Sequence, residues 1–123
     1  MPHTNTWEPA GLYRKFTGTI SGEEILESNF DLHRDSKFQT IKFIINDFTE
    51  VIEHSIEVIH TKVYASSDEI ISNTKGKLKI ALVVTQEPLI ALANSYREEM
   101  IGKRFECNIF KTIEDAREWV VAN

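Results

Sequence analysis

Ile41-Lys42-Phe43-Ile44-Ile45-Asn46-Asp47-Phe48 is a run of β-branched and aromatic residues that does not alternate with polar ones. A strand with one wet face alternates, whereas a strand covered on both faces reads as a continuous apolar run. Leu78-Lys79-Ile80-Ala81-Leu82-Val83-Val84-Thr85 repeats the pattern more cleanly. Two such runs, with a long amphipathic segment between them, predict parallel strands joined by a helical crossover and covered by helices.

The flanking segments extend this alternation. Residues 12–20 alternate loosely and predict a strand near the N-terminus. Ser21-Gly22-Glu23-Glu24 fits a capping box, in which the Ser21 hydroxyl and the Glu24 carboxylate satisfy each other's backbone N–H groups. The helix it starts runs to about His33, with Ile25, Leu26, Phe30 and Leu32 along one broad side. Residues 55–74 predict a long helix with Ile56, Ile59, Val63, Ile70 and Ile71 on its inner face, ended at Gly76. Glu87-Pro88 opens a third helix carrying Leu89, Leu92, Ala93, Tyr96 and Met100 on one face. Residues 105–111 form the last strand. Thr112, three residues before Asp115, caps a final helix whose inner face is Ile113, Ala116, Trp119 and Val120, with Trp119 mostly buried. The expected architecture is one α/β domain over residues 1–123, β-α-β-α-β-α-β-α. Its four-stranded, mostly parallel sheet carries helices on both faces, with an extra antiparallel strand at the N-terminus placed around residues 12–19.

The phrases WEPAGLYRKFTGTISGEEIL, KFQTIKFIINDFTEV, KIALVVT and IFKTIEDAREWV resemble the SpoIIAA-like family of small bacterial proteins, which shares the fold of STAS domains. The resemblance runs over nearly the whole chain and is carried by Gly18, Glu24, Asp47, Phe48, Phe110, Ala116 and Trp119. It implies a STAS-like α/β fold and a binding role. Some STAS domains are switched by phosphorylation of a serine that starts the helix after an Asp-bearing strand. By position Asp47 matches that aspartate and Ser55 lies near that serine. The STAS signature there is an Asp-Ser-Ser-Gly-like run, and this chain reads Glu53-His54-Ser55-Ile56, without the glycine.

Composition narrows the function classes. The 123 residues carry a net charge of −5, with 41% hydrophobic and 27% charged residues, ordinary for a globular domain long enough to bury a core. No Lys/Arg run marks a nucleic-acid or anionic-membrane surface, and no apolar run is long enough to span a bilayer. The start of the chain is polar and is not read as a signal peptide, so a cytoplasmic protein is expected. A single cysteine, Cys107, rules out an intrachain disulfide and CxxC chemistry; its place inside a strand predicts plain packing. No Gly-x-Ser-x-Gly elbow and no Gly-rich phosphate loop is present, and no cofactor is expected. Glu57-Val58-Ile59-His60 has the ExxH spacing of bridged metal sites, but those need a second copy and further carboxylates, so no metal site is expected. His33 is placed near the middle of the first helix's inner face.

Asp47 ends a central strand, and in open parallel sheets that edge is where ligands bind. Asp47, Thr49, Ser55 and Thr85 are therefore the candidate partner- or ligand-binding residues, with none assigned as catalytic. The leading expectation is a non-enzymatic regulatory or protein-interaction module. The alternative is a binder of a small apolar or lipid-like molecule held between sheet and helices. A third reading is an enzyme pairing Asp47 with His54 or His60. The partner is then an unidentified protein or a small apolar ligand, and a homodimer is compatible with the fold class.

Overall fold

A computed structural model describes residues 3–122; Met1, Pro2 and Asn123 lie outside the described residues. Five strands, β1 (His3–Glu8), β2 (Gly11–Ile20), β3 (Phe43–His54), β4 (Leu78–Val83) and β5 (Phe105–Phe110), form one sheet in sequence order. β1 pairs antiparallel with β2, and every later neighbour pair is parallel. The helices are α1 (Gly22–Arg34), α2 (Val58–Lys75), α3 (Leu89–Glu99) and α4 (Ile113–Val121), with a 3-10 turn over Ser36–Thr40 after α1.

This strand order explains how the helices are distributed. Parallel crossovers share one hand, so a sheet that grows in one direction sends its crossover helices to one face. The residues that α1, α2 and α3 bury join a core with Leu12, Phe16, Ile44, Ile80 and Leu82. The opposite face, built on Phe43, Ile45, Ala81 and Val83, is covered by Ala116 and Val120 of α4 alone. Odd and even positions of the two apolar runs thus enter different cores, which is why neither run alternates.

Local signals agree with the structure where they are chemical. Ser21 Oγ accepts from the Glu24 N–H at 3.1 Å and Glu24 Oε1 from the Ser21 N–H at 2.9 Å, completing the capping box. Glu87 Oε1 accepts from the Ala91 N–H at 2.9 Å at the start of α3. Thr112 Oγ1 accepts from the Asp115 N–H at 3.1 Å at the start of α4. Gly18 takes φ +70° at an irregularity in the β2–β3 ladder, a conformation a side chain resists.

Four expectations change. The extra antiparallel strand exists, but it is His3–Glu8; residues 12–19 belong to β2, which runs parallel to β3. β3 continues to His54, so the second helix starts at Val58, not at Ser55. Phe30 is exposed, and α1 instead buries Ser28 and Asn29 beside Ile25 and Leu32. The largest difference is in α2, where Ile59 and Ile70 are 58% and 70% exposed while Thr61, Tyr64, Ala65, Asp68 and Ser72 face the core. Trp119 is mostly covered, as expected, packed on Phe110 at 5.5 Å between ring centres with the Lys79 ammonium 5.1 Å from its ring.

Candidate functional site

One of the polar residues that α2 turns inward, Asp68, acts through its charge on a buried cation of the sheet. In β2, Leu12, Arg14 and Phe16 share one side, so Arg14 enters the core beneath α1, α2 and α3 and is 4% exposed. A buried cation needs oxygen around it. Its Nε donates to Asn46 Oδ1 at 2.9 Å, Nη1 to Ser28 Oγ at 3.0 Å and Nη2 to Asn29 Oδ1 at 2.8 Å. These three acceptors are neutral. The carboxylate whose charge acts on it most is Asp68, which holds other partners: Tyr96 Oη donates to Asp68 Oδ2 at 2.5 Å, and His33 Nε2 lies 3.4 Å from Asp68 Oδ1. Burial pushes the Arg14 guanidinium down to about 10, with Asp68 pulling the other way, so it remains a cation at neutral pH. Burial also raises the Tyr96 phenol, as does the Asp68 charge, and keeps its proton available for donation.

Arg14, Asn29, Asn46 and Asp68 line a cavity between the sheet and the three helices. Its apolar wall includes Ile25, Ile44, Ile80, Leu82, Leu92 and Ala93. The cavity has a volume of about 90 Å³, several times the roughly 10–15 Å³ that one water needs. The cavity extends past the Arg14 level to Phe48, Ile56 and Leu89. The Phe48 ring stacks on Phe16 at 4.8 Å, and the Arg14 guanidinium lies 5.0 Å from the Phe16 ring centre.

Asp47 faces the other way. It is 1% exposed on the α4 side, where it accepts from Tyr13 Oη, from the Thr49 N–H at 2.9 Å and from Thr49 Oγ1 at 2.7 Å. Both carboxylate oxygens hold neighbouring groups in place. Thr49 and Thr85 are exposed near this end of the sheet, since Val83 pairs with Asp47 and Thr85 follows two residues later. Ser55 is not with them: β3 runs on past Asp47, and the chain from Asp47 to Ser55 covers roughly 26 Å at about 3.3 Å per residue. Ser55 is exposed, and its N–H donates to the Ile20 carbonyl at 3.1 Å; Glu57, not Ser55, precedes the first turn of α2. The candidate residues therefore split into Asp47–Thr49 with Thr85, and Ser55 apart. The crevice argument applies elsewhere as well, because chains leaving neighbouring strands diverge only where β4 leads to α3 and β5 leads to α4.

Removing the Asp47 carboxylate orphans the partly buried Tyr13 hydroxyl and the Thr49 N–H and hydroxyl that donate to it. Asp47→Ala is expected to lower stability by about 1–3 kcal/mol, the cost of a buried donor left without its acceptor. Denaturant melts would show this as a lower midpoint at unchanged slope. A midpoint equal to wild type would mean that Asp47 has no holding role.

The histidines take structural positions. His60 Nδ1 accepts from the Glu57 N–H at 2.8 Å, so the ExxH spacing reflects the start of α2. Its ring packs over Gly22 so closely that a Cβ there would sit 2.4 Å from Nδ1. His54 Nδ1 accepts from the Ile56 N–H at 3.1 Å. Asp47 faces α4, whereas His60 belongs to α2 on the other face, so the sheet separates that pair. The Cys107 thiol lies in β5, and burial raises it to about 12, which suppresses its thiolate.

Cations dispersed in the sequence meet on the surface. Lys42, Lys77, Lys79, Lys103 and Arg104 line an open groove at the N-terminal ends of the parallel strands. Lys79 Nζ donates to the Trp119 and Ala122 carbonyls at 2.9 and 2.6 Å, and Lys103 pairs with Glu69 at 2.7 Å. No helix among the described residues is long and apolar enough to cross a membrane.

The fold has a solved counterpart. An uncharacterized protein of the DUF3478 family from Shewanella loihica PV-4, with a SpoIIAA-like fold, superposes with a TM-score of 0.52 at 18% identity, covering 96% of this chain and 91% of that one. At that identity the likeness is one of fold. No family model matches the sequence, and no curated protein matches it.

Proposed function

We propose that this chain, whose fold is SpoIIAA-like, is a non-catalytic binding module that takes up a small, mainly apolar molecule between the sheet and α1, α2 and α3. The observation that carries this reading is the cavity itself: a domain core is ordinarily packed without voids larger than a water, and this one is lined by large aliphatic side chains around a few convergent polar groups.

The test uses a neutral ligand and a filled cavity. 1-Octanol is expected to raise the melting temperature of the wild-type protein in a saturable way, because a ligand that binds only the folded state stabilises it by mass action. Ala93→Leu places extra methyl groups in the cavity wall and is expected to weaken octanol binding by at least about tenfold, as overpacking a filled site costs about 1–3 kcal/mol. Equal binding by the filled variant, or no binding by the wild type, would count against the reading.

A second reading, a regulatory or protein-interaction module, is favoured by the apolar residues that α2 turns outward. Val58, Ile59, Val63 and Ile70 are all exposed, as is Ile52 at the far end of β3. Under that reading Ser55 and Thr85, both exposed, lie on surfaces a partner could read.

A further inference from the structure

The apolar-pocket reading leaves the Arg14 cation without a function, and the following inference rests on that reading. A guanidinium carries five N–H bonds. Among the described residues Arg14 uses three, one from each nitrogen, on Asn46, Ser28 and Asn29. One N–H on each terminal nitrogen remains, and a carboxylate carries two acceptor oxygens for such a pair of donors. The three acceptors in place are amide and hydroxyl oxygens, so they fix the orientation of the fork without neutralising it. Asp68, the one carboxylate lining the cavity, is held by Tyr96 and flanked by His33.

We propose that the cavity takes a monocarboxylate with an apolar body, its carboxylate on Arg14 and its tail against the aliphatic wall. A carboxylate brings two acceptor oxygens to the two remaining N–H groups of Arg14. A phosphomonoester would bring close to two charges at neutral pH, and the second would face the Asp68 carboxylate, a like charge lining the same cavity. A neutral alcohol offers the guanidinium a single, weaker acceptor oxygen, and an amine offers a cation no acceptor. The aliphatic part of the wall, Ile25, Ile44, Ile80, Leu92 and Ala93, fits an aliphatic or aromatic tail.

The experiment compares octanoate, 1-octanol and octylammonium by calorimetric titration at neutral pH. For the wild-type protein octanoate is expected to bind at least about tenfold tighter than octanol, the factor expected of hydrogen bonds to a charged group, and octylammonium weaker than octanol. In Arg14→Met, which keeps an unbranched apolar side chain there, the preference for octanoate over octanol is expected to fall below about threefold. Arg14→Lys, which keeps the charge and loses the fork, should fall between. Should Arg14→Met fail to fold, the wild-type ranking still decides. Octanol binding as tightly as octanoate in the wild type would overturn the carboxylate assignment and leave the apolar pocket standing. Failure of all three to bind would overturn the pocket reading itself.

Discussion

Asp68→Ala is expected to destabilise the protein by about 3–5 kcal/mol, the range for removing one partner from a buried charged network. Asp68 is 7% exposed on the inner face of α2. It is the acceptor for the buried Tyr96 hydroxyl at 2.5 Å, it lies 3.4 Å from His33 Nε2, and its charge favours the protonated state of Arg14. The alanine variant leaves a buried donor without an acceptor and a buried cation without its largest internal counter-charge. Asp68→Asn keeps an acceptor for Tyr96 and removes only the charge, so it should cost less than Asp68→Ala. Denaturant melts of both variants check the pair. A loss below about 1 kcal/mol for the alanine variant, which is the surface range, would mean that α2 does not turn this residue inward.

Phe38→Ala is expected to cost a similar amount, about 3–5 kcal/mol, for a different reason: a large side chain removed from an enclosed site leaves a cavity. Phe38 is 0% exposed in the 3-10 turn after α1. Its ring packs against His33 at 5.0 Å and edge-on to Phe105 at 6.4 Å, and the Lys75 ammonium lies 5.8 Å from its centre. That ammonium also donates to the Ile41 carbonyl at 2.7 Å, so the ring sits where the end of α2, the entry to β3 and the start of β5 meet. Phe38→Leu retains much of the volume and should recover most of the loss. An alanine variant as stable as wild type in urea melts would show that the turn can collapse into the space.

Most of the fold was legible because its signals are local. The apolar runs around Ile44 and Ile80, the Ser21 capping box and the Thr112 cap each rest on residues adjacent in sequence, and each takes its expected place. The N-terminal strand was misplaced because His3–Glu8 is short and polar, and an edge strand needs little apolar content. Residue type alone misassigns the face of α2, because it sends isoleucine and valine to the core. Ile59 and Ile70 stay outside because α2 turns inward polar residues that find buried partners: Tyr64 Oη donates to the Gly22 carbonyl, and Asp68 accepts from Tyr96 while its charge acts on Arg14.

The candidate site was less legible for the same reason. Asp47 attracts attention at a strand end, yet its oxygens are taken by Tyr13 and Thr49. Ser55 was placed with it on the assumption that β3 ends near Phe48, and the extension to His54 separates them. Two signals pointed to the pocket. Arg14 has the same strand parity as Leu12 and Phe16, and Asn46 interrupts an otherwise apolar run; both are polar residues at core positions, which require partners. What the sequence alone does not encode is that these partners converge, because Asn29, Asn46, Asp68 and Tyr96 lie on different elements that only the parallel topology brings over Arg14.

The central claim is that the molecule binds inside, between sheet and helices, rather than on the apolar surface of α2, and methyl NMR separates the two most directly. The protein, labelled at isoleucine, leucine and valine methyls, would be titrated with 1-octanol. The account predicts saturable shifts at Ile25, Ile44, Ile80 and Leu92, which line the cavity, with Ile52, Ile59, Val63 and Ile70 unmoved. Shifts confined to those four exposed residues, or no saturable shift at the cavity methyls, would contradict it.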